Sequence, residues 1–185
     1  FLTGGAGTGK SFTLMVIVDA LKRLYGAASV GTAASTGIAA DAIDGDTVHS
    51  LLGLHLGEPR EEPSEAARAR LTALKVLIID EISMLDEELM DTLCRFAKAA
   101  RGQPGSARCG LPLGGLQLIV CGDFYQLPSV GGRPAFLSSA WRAANILTVH
   151  LVTKVRQLAD PLFAAALDLI RVGRCETEEI ELIEG

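Results

Sequence analysis

The sequence predicts a single α/β domain on a parallel sheet with helices on both faces, and three observations carry that expectation. A glycine-rich loop, Gly4 to Ser11, lies between a strand end at Phe1-Leu2-Thr3 and a segment of helical periodicity. Two aliphatic runs, Lys75 to Ile79 and Leu116 to Cys121, are too continuously apolar for a sheet with one wet face, so they read as strands buried on both sides. The 185 residues are 49% hydrophobic but only 5% aromatic, which suits packed layers of aliphatic strands and helices.

The loop Gly4-Gly5-Ala6-Gly7-Thr8-Gly9-Lys10-Ser11 fits G-x-x-x-x-G-K-[ST] without a mismatch. Backbone N–H groups can wrap a phosphate chain only where no Cβ blocks the approach, which accounts for four glycines in so short a span. Lys10 supplies a reaching positive charge, and Ser11 a hydroxyl suited to Mg²⁺. The helix expected next carries Leu14, Val18, Leu21 and Tyr25 on one face and stops at Gly26. Its N-terminus points a positive dipole end at the same phosphates, so strand, loop and helix together predict a nucleoside triphosphate site.

Further along, Ala28 to Ala34 reads as a short strand, and Ser35 or Thr36 is placed to cap a helix beginning at Gly37. This polar turn lies on the edge where open α/β sheets place ligands, although capping alone also explains it. Gly45 to Leu52 reads as a turn and a short helix capped by Asp46. Gly53 to Pro63 reads as a surface loop, and Ser64 to Leu74 as a helix returning to the sheet.

The Lys75–Ile79 run ends in Asp80 and Glu81. Two adjacent carboxylates at the mouth of a buried strand need a cation or water, so Asp80 reads as a Mg²⁺ partner and Glu81 as the group that orients or deprotonates the attacking water. Asp86 to Arg101 is an amphipathic helix whose Leu89, Leu93, Phe96 and Ala100 face the core, with Asp86 as its cap. The strand at Leu116–Cys121 opens into Gly122-Asp123-Phe124-Tyr125-Gln126. There Gln126 has the amide to sense a terminal phosphate, and Asp123 is a candidate for the outer shell of Mg²⁺; each could instead be a turn residue bonding its own backbone. Phe136 to Ala144 reads as helical with Trp141 as a packing anchor, and Asn145 to Val152 as the last strand. Asp160-Pro161 then opens a helix with Phe163, Leu167 and Ile170 on one face, ended by Gly173. Arg156, just past a strand end, can reach a γ-phosphate or form a surface ion pair.

Charge and cysteine usage bound the rest. Seventeen Lys and Arg against 22 Asp and Glu leave a net charge of −5, so any contact with nucleic acid has to be local. Four scattered cysteines and three histidines match no metal-binding spacing, and the thiols fit a reducing compartment. No apolar run approaches the ~20 residues of a membrane span. The expectation is an intracellular protein with no membrane partner, and a domain that is part of something longer.

The order of blocks GGAGTGKS, TAASTGIAADAIDGDTVHS, LIIDEISMLD, GGLQLIVCGDFYQLPSV and VTKVRQ, followed by a helix ending IRVG, resembles the petite-integration-frequency (Pif-type) DNA helicases. These are superfamily-one motors that move 5′ to 3′, and the similarity runs from Phe1 to about Gly173. It implies a P-loop NTPase of RecA-like fold, with about five parallel strands and the 116–121 strand lying between the Lys75–Asp80 strand and the loop strand. It implies ATP held by Gly4 to Ser11, Mg²⁺ by Ser11 and Asp80, catalysis by Glu81, Gln126 and Arg156, and single-stranded DNA contacts at Thr36, Gly37, His49 and Ser50. Duplex junctions are the implied substrates, in DNA repair, recombination and telomere maintenance, in the nucleus or mitochondrion of a eukaryote or a bacterial cytoplasm. The expected organisation is one motor domain over 1–173, the start of a following segment at 174–185, and a monomer that needs a second RecA-like domain in cis. Ser129 and Val155 replace the usual Pro and Phe of the family blocks without removing a catalytic group. Another P-loop ATPase, or a nucleotide-binding fragment without turnover, fits the same loop and strands.

Overall fold

The computed structural model describes residues 1–54, 61–102, 104–157 and 160–174. Its centre is β4, Val76–Asp80, in which all five residues are buried. Successive side chains of a strand point to opposite faces, and this strand feeds two cores. Val76 and Ile78 pack on one side with Leu14, Val18, Ala40 and Ile43, while Leu77 and Ile79 pack on the other with Leu71, Leu93 and Phe96. An unbroken aliphatic run is the sequence form of such a two-sided strand.

Around β4 the strands β2 (Val30–Ala34), β3 (Asp46–Thr47) and β5 (Gln117–Val120) form a parallel sheet in the order β3-β2-β4-β5. The strand β1 (Leu2–Gly4) pairs in parallel with β6 (Val149–Leu151). A single parallel bridge, Leu2 to Cys121, and the bond from Gly122 N–H to Leu2 C=O (3.1 Å) join the two groups. The strand preceding the glycine loop therefore lies beside β5, with β4 beyond it, as the resemblance implies. Among the described residues there are six strands where about five were expected; the additional one is the two-residue β3.

The helices α1 (Lys10–Tyr25) and α2 (Gly37–Ala42) cover one face. The other is covered by α3 (Val48–Leu52), α4 (Glu65–Ala73), α5 (Glu87–Arg101) and α6 (Ser139–Ala144). Asp86 caps α5 and Ser64 caps α4 through hydrogen bonds to backbone N–H groups three residues on. Beneath them Arg101, only 6% exposed, donates to the carbonyls of Gly114, Leu71, Thr72 and Leu74 and so ties α5 to the end of α4. Trp141 is a packing anchor, edge-on to Phe1 and Phe124.

Some boundaries differ from the sequence expectations. The second strand starts at Val30, because Ala27–Ser29 make a 3₁₀ turn after the Gly26 stop. Thr47, not Asp46, caps α3, because the helix begins at Val48 and Thr47 is the residue whose hydroxyl reaches the Ser50 N–H. In α7 (Pro161–Arg171) the residues buried are Ala164 and Ala166, whereas Ile170 stays 38% exposed. Most of the expected loop at Gly53 to Pro63 and the segment 175–185 lie outside the described residues.

Candidate functional site

In a parallel sheet all strands end on one edge, and the register gathers the candidate residues there. Ala34 of β2 lies opposite both Thr47 of β3 and Asp80 of β4. The glycine loop leaves β1 at the same edge, next to the end of β5.

The loop is tightly supported. A Cβ on Gly4 would lie 2.5 Å from the Leu151 carbonyl oxygen and 2.7 Å from Thr8 Oγ1, so no larger residue fits beside β6. Thr8, 7% exposed, donates its hydroxyl to Gly5 C=O at 2.9 Å. Gly7 adopts φ +75°, a conformation natural to glycine, and turns its carbonyl outward to accept from the N–H groups of Val155 (2.8 Å) and Arg156 (3.1 Å). Gly9 is the N-cap residue of α1, whose first residues are Lys10 and Ser11. Lys10 Nζ is held by the carbonyls of Gly4 and Gly5 at 3.0 and 3.1 Å, and Ala6 and Ser11 are exposed.

Asp80, 7% exposed, ends β4 with its Oδ1 accepting from Glu81 N–H at 2.9 Å. Glu81 follows at φ 50°, a left-handed conformation unusual for a residue with a side chain, and its carbonyl accepts from Ser35 Oγ at 3.0 Å. Burial, then the charges of Asp80 and Asp123, raise the Glu81 carboxyl above its ordinary value, against the opposing charge of Lys10. The loop lysine, Asp80 and Glu81 thus share one electrostatic environment. Burial and the neighbouring Asp80 also push the Cys121 thiol far up, so it remains protonated.

Asp123, 1% exposed, lies near enough to Glu81 for its charge to be felt there, and its own carboxylate is fully engaged. Arg171 at the end of α7 grips it with both nitrogens at 2.7 Å, Nε to Oδ2 and Nη2 to Oδ1. The Tyr125 N–H (3.1 Å) and the Gln126 side-chain amide (3.2 Å) donate to the same carboxylate. Burial alone would raise the Asp123 carboxyl, but these donors, Arg171 foremost, hold it below the usual range. Gln126 itself is exposed at the mouth of the site, and the exposed Arg156 belongs to the strap whose backbone, its own N–H included, holds Gly7.

Thr36 accepts from Ala39 N–H and caps α2, with Gly37 exposed behind it. His49 and Ser50 are exposed in α3, whose cap Thr47 accepts from Ser50 N–H. Thr36 and Gly37 follow β2 and His49 and Ser50 follow the neighbouring β3, so both pairs lie on the carboxyl edge, and Ser35 beside Thr36 is bonded to the Glu81 carbonyl. Sequence reasoning missed Arg171 and the Lys154–Asp168 ion pair (2.8 Å) that brings α7 over the loop. A signal is present in the sequence, since Arg171 belongs to the IRVG ending that carries part of the resemblance.

Mg²⁺ takes one or two carboxylates together with substrate phosphates and water. One buried carboxylate at Asp80 and one hydroxyl at Ser11 match that need, and among the described residues no group of three or more His, Cys, Asp or Glu forms a cage for a metal on its own. No helix among them is long and apolar enough to cross a membrane.

The parallel sheet, glycine loop and Asp-Glu pair define an α/β nucleotide-binding domain of the P-loop, RecA-like class. A family model described as PIF1-like helicase matches residues 1–179, and the chain belongs to that family. It is 39% identical over 191 residues to ATP-dependent DNA helicase PIF1 of Saccharomyces cerevisiae, covering 96% of this chain and 22% of the relative. With the protein of the same name from Xenopus laevis it is 43% identical over 188 residues, covering 95% of this chain and 28% of the relative. Among solved structures, the Pif1 helicase of Candida albicans superposes with a TM-score of 0.86 at 39% identity, over 97% of this chain and 42% of that one. A Bacteroides Pif1 helicase in complex with ADP-AlF3 and ssDNA gives 0.83 at 30% identity, over 98% of this chain and 44% of that one. The chain thus spans less than a third of these curated relatives and less than half of these solved chains.

Proposed function

We propose that this chain is the first RecA-like motor domain, over residues 1–173, of an ATP-dependent DNA helicase that moves 5′ to 3′ on single-stranded DNA and opens duplex junctions. The observation that carries the reading is the convergence of Lys10, Asp80 and Glu81 at one sheet edge, in a chain of the PIF1-like family. The amides from Gly4 to Gly9 and Lys10 would hold the phosphates of ATP. Ser11 and Asp80 would hold Mg²⁺, which when bound neutralises charge on the phosphate oxygens. Glu81, whose proton affinity burial has raised, would take the proton from a water attacking the γ-phosphorus, while the bond to the bridging oxygen of ADP breaks. Gln126 would sense the terminal phosphate and Arg156 would meet its developing charge. Thr36, Gly37, His49 and Ser50 would contact the DNA strand.

Repair, recombination and telomere maintenance, in nucleus or mitochondrion if the source is eukaryotic, are the proposed settings; the relatives' name, ATP-dependent DNA helicase, supports the helicase activity itself. A second RecA-like domain in cis would complete the cleft of a monomeric motor. The test is Mg²⁺-dependent ATP hydrolysis with and without single-stranded DNA, beside Lys10→Ala. Turnover that DNA stimulates and the variant abolishes supports the proposal; turnover indifferent to DNA, in this chain and in its longest expressed form, contradicts the helicase reading.

A further inference from the structure

The contacts of Arg171 extend beyond the end of its helix. Its guanidinium closes both oxygens of Asp123 and lies over the Tyr125 ring, 4.6 Å from the centroid. Asp123 Oδ2, which accepts Arg171 Nε, also accepts the Gln126 side-chain amide, so the arginine reaches Gln126 through one shared oxygen. The remainder of α7 leans on the phosphate loop. A Cβ on Gly5 would stand 3.5 Å from Asp168 Oδ1 and 3.8 Å from Arg171 Cδ, and Asp168 is anchored by Lys154. A small cleft of about 130 Å³ lies between these groups, lined by Ala6, Gln126, Asp168 and Arg171 among others.

We propose that Arg171 is a positioning residue that acts through Asp123: it fixes the 123–126 turn against the phosphate loop and so sets the pose of Gln126 during hydrolysis. The inference rests on the nucleotide-site reading above. A carboxylate 1% exposed cannot be left to water, and without a cation it competes harder for every nearby donor. With Arg171 in place, Asp123 is neutralised and the Gln126 amide is held loosely enough, at 3.2 Å, to exchange toward a phosphate oxygen. Without Arg171, Asp123 takes the Gln126 amide as its principal side-chain donor and keeps it from the substrate. Arginine suits the task because its planar fork engages both oxygens while its flat face stacks on Tyr125; a lysine ammonium reproduces the charge but not the fork.

The test measures ATP turnover and Mg-nucleotide affinity separately, with single-stranded DNA at saturation, for Arg171→Ala, Arg171→Lys, Gln126→Ala and Arg171→Ala/Gln126→Ala. Groups that orient a working side chain are worth about 10- to 100-fold, so Arg171→Ala should lose about tenfold in kcat while nucleotide affinity changes less than about threefold. Arg171→Lys should fall between it and the parent, and it carries the test alone if the alanine variant does not fold. The double variant should be no slower than Gln126→Ala, because the arginine acts through the glutamine. Losses that multiply, or a fall in affinity that accounts for the loss in turnover, overturn the latch and leave a merely structural arginine. If Gln126→Ala is itself as fast as the parent, the sensor role assigned above fails, an outcome distinct from the failure of Arg171 alone.

Discussion

Arg101 offers a magnitude that can be worked from its contacts. Replacing it with methionine keeps an apolar stem in the slot between α5 and α4 and deletes every donor. The carbonyls of Gly114, Leu71 and Leu74 then lose the guanidinium that serves them, as does the longer contact to Thr72. A buried acceptor left without a donor costs about 1–3 kcal/mol. Burial of the charge opposes this, since desolvation lowers the Arg101 pKa, with Arg108 adding repulsion. The net loss should be about 3–5 kcal/mol, against a typical total of about 5–15 kcal/mol. At about 2–4 °C per kcal/mol for a chain of this size, the melting temperature should fall by about 6–20 °C. Urea unfolding followed by the fluorescence of Trp141, the single tryptophan, reads the change directly. A loss below about 1 kcal/mol with an unchanged m-value would show that water replaces the arginine at those carbonyls and would refute the reasoning.

Two further outcomes follow from local geometry. Glu81 has a raised pKa in the folded chain, so the folded state binds the proton more tightly and stability falls as pH rises from the ordinary value of 4.5 through the raised one. Glu81→Gln should therefore melt higher than the parent near pH 7.5 and lose that advantage below pH 4.5; an advantage constant across this range would contradict the assignment. Thr47→Ala should lose about 1 kcal/mol as the cap of α3 disappears, and Asp46→Ala should lose less, measured in the same urea titration. The reverse order would restore Asp46 as the cap.

Much of the candidate site's framework was legible because its signals are local. Eight consecutive residues specify the glycine loop, and five aliphatic or acidic ones specify β4 with its charged mouth. The position of β5 between β4 and β1 followed from the family blocks rather than from periodicity, and the Leu2–Cys121 bridge bears it out. The pairing of Arg171 with Asp123 escaped because 48 residues separate them and an arginine at a helix end, read alone, looks ordinary. Arg101 escaped for a similar reason: a basic residue in the last turn of a helix is expected to serve its own helix, and this one serves α4. Asp46 and Thr47 were exchanged because both residue types can cap a helix, and only the exact start of α3 at Val48 decides between them. In α7 the small alanines, not the large aliphatics, are buried, because the helix lies close against its neighbours; hydrophobic size was the wrong guide there.

The central claim is that Lys10 binds the nucleotide and Glu81 turns it over, and measuring both properties in Lys10→Ala and Glu81→Gln separates the two roles. Titration with a fluorescent ATP analogue in Mg²⁺ gives affinity, and phosphate release under saturating ATP and single-stranded DNA gives turnover. The account predicts that Lys10→Ala loses binding, while Glu81→Gln binds as the parent does and loses at least about a hundredfold in turnover. Parental turnover in Glu81→Gln, or parental affinity in Lys10→Ala, would contradict it.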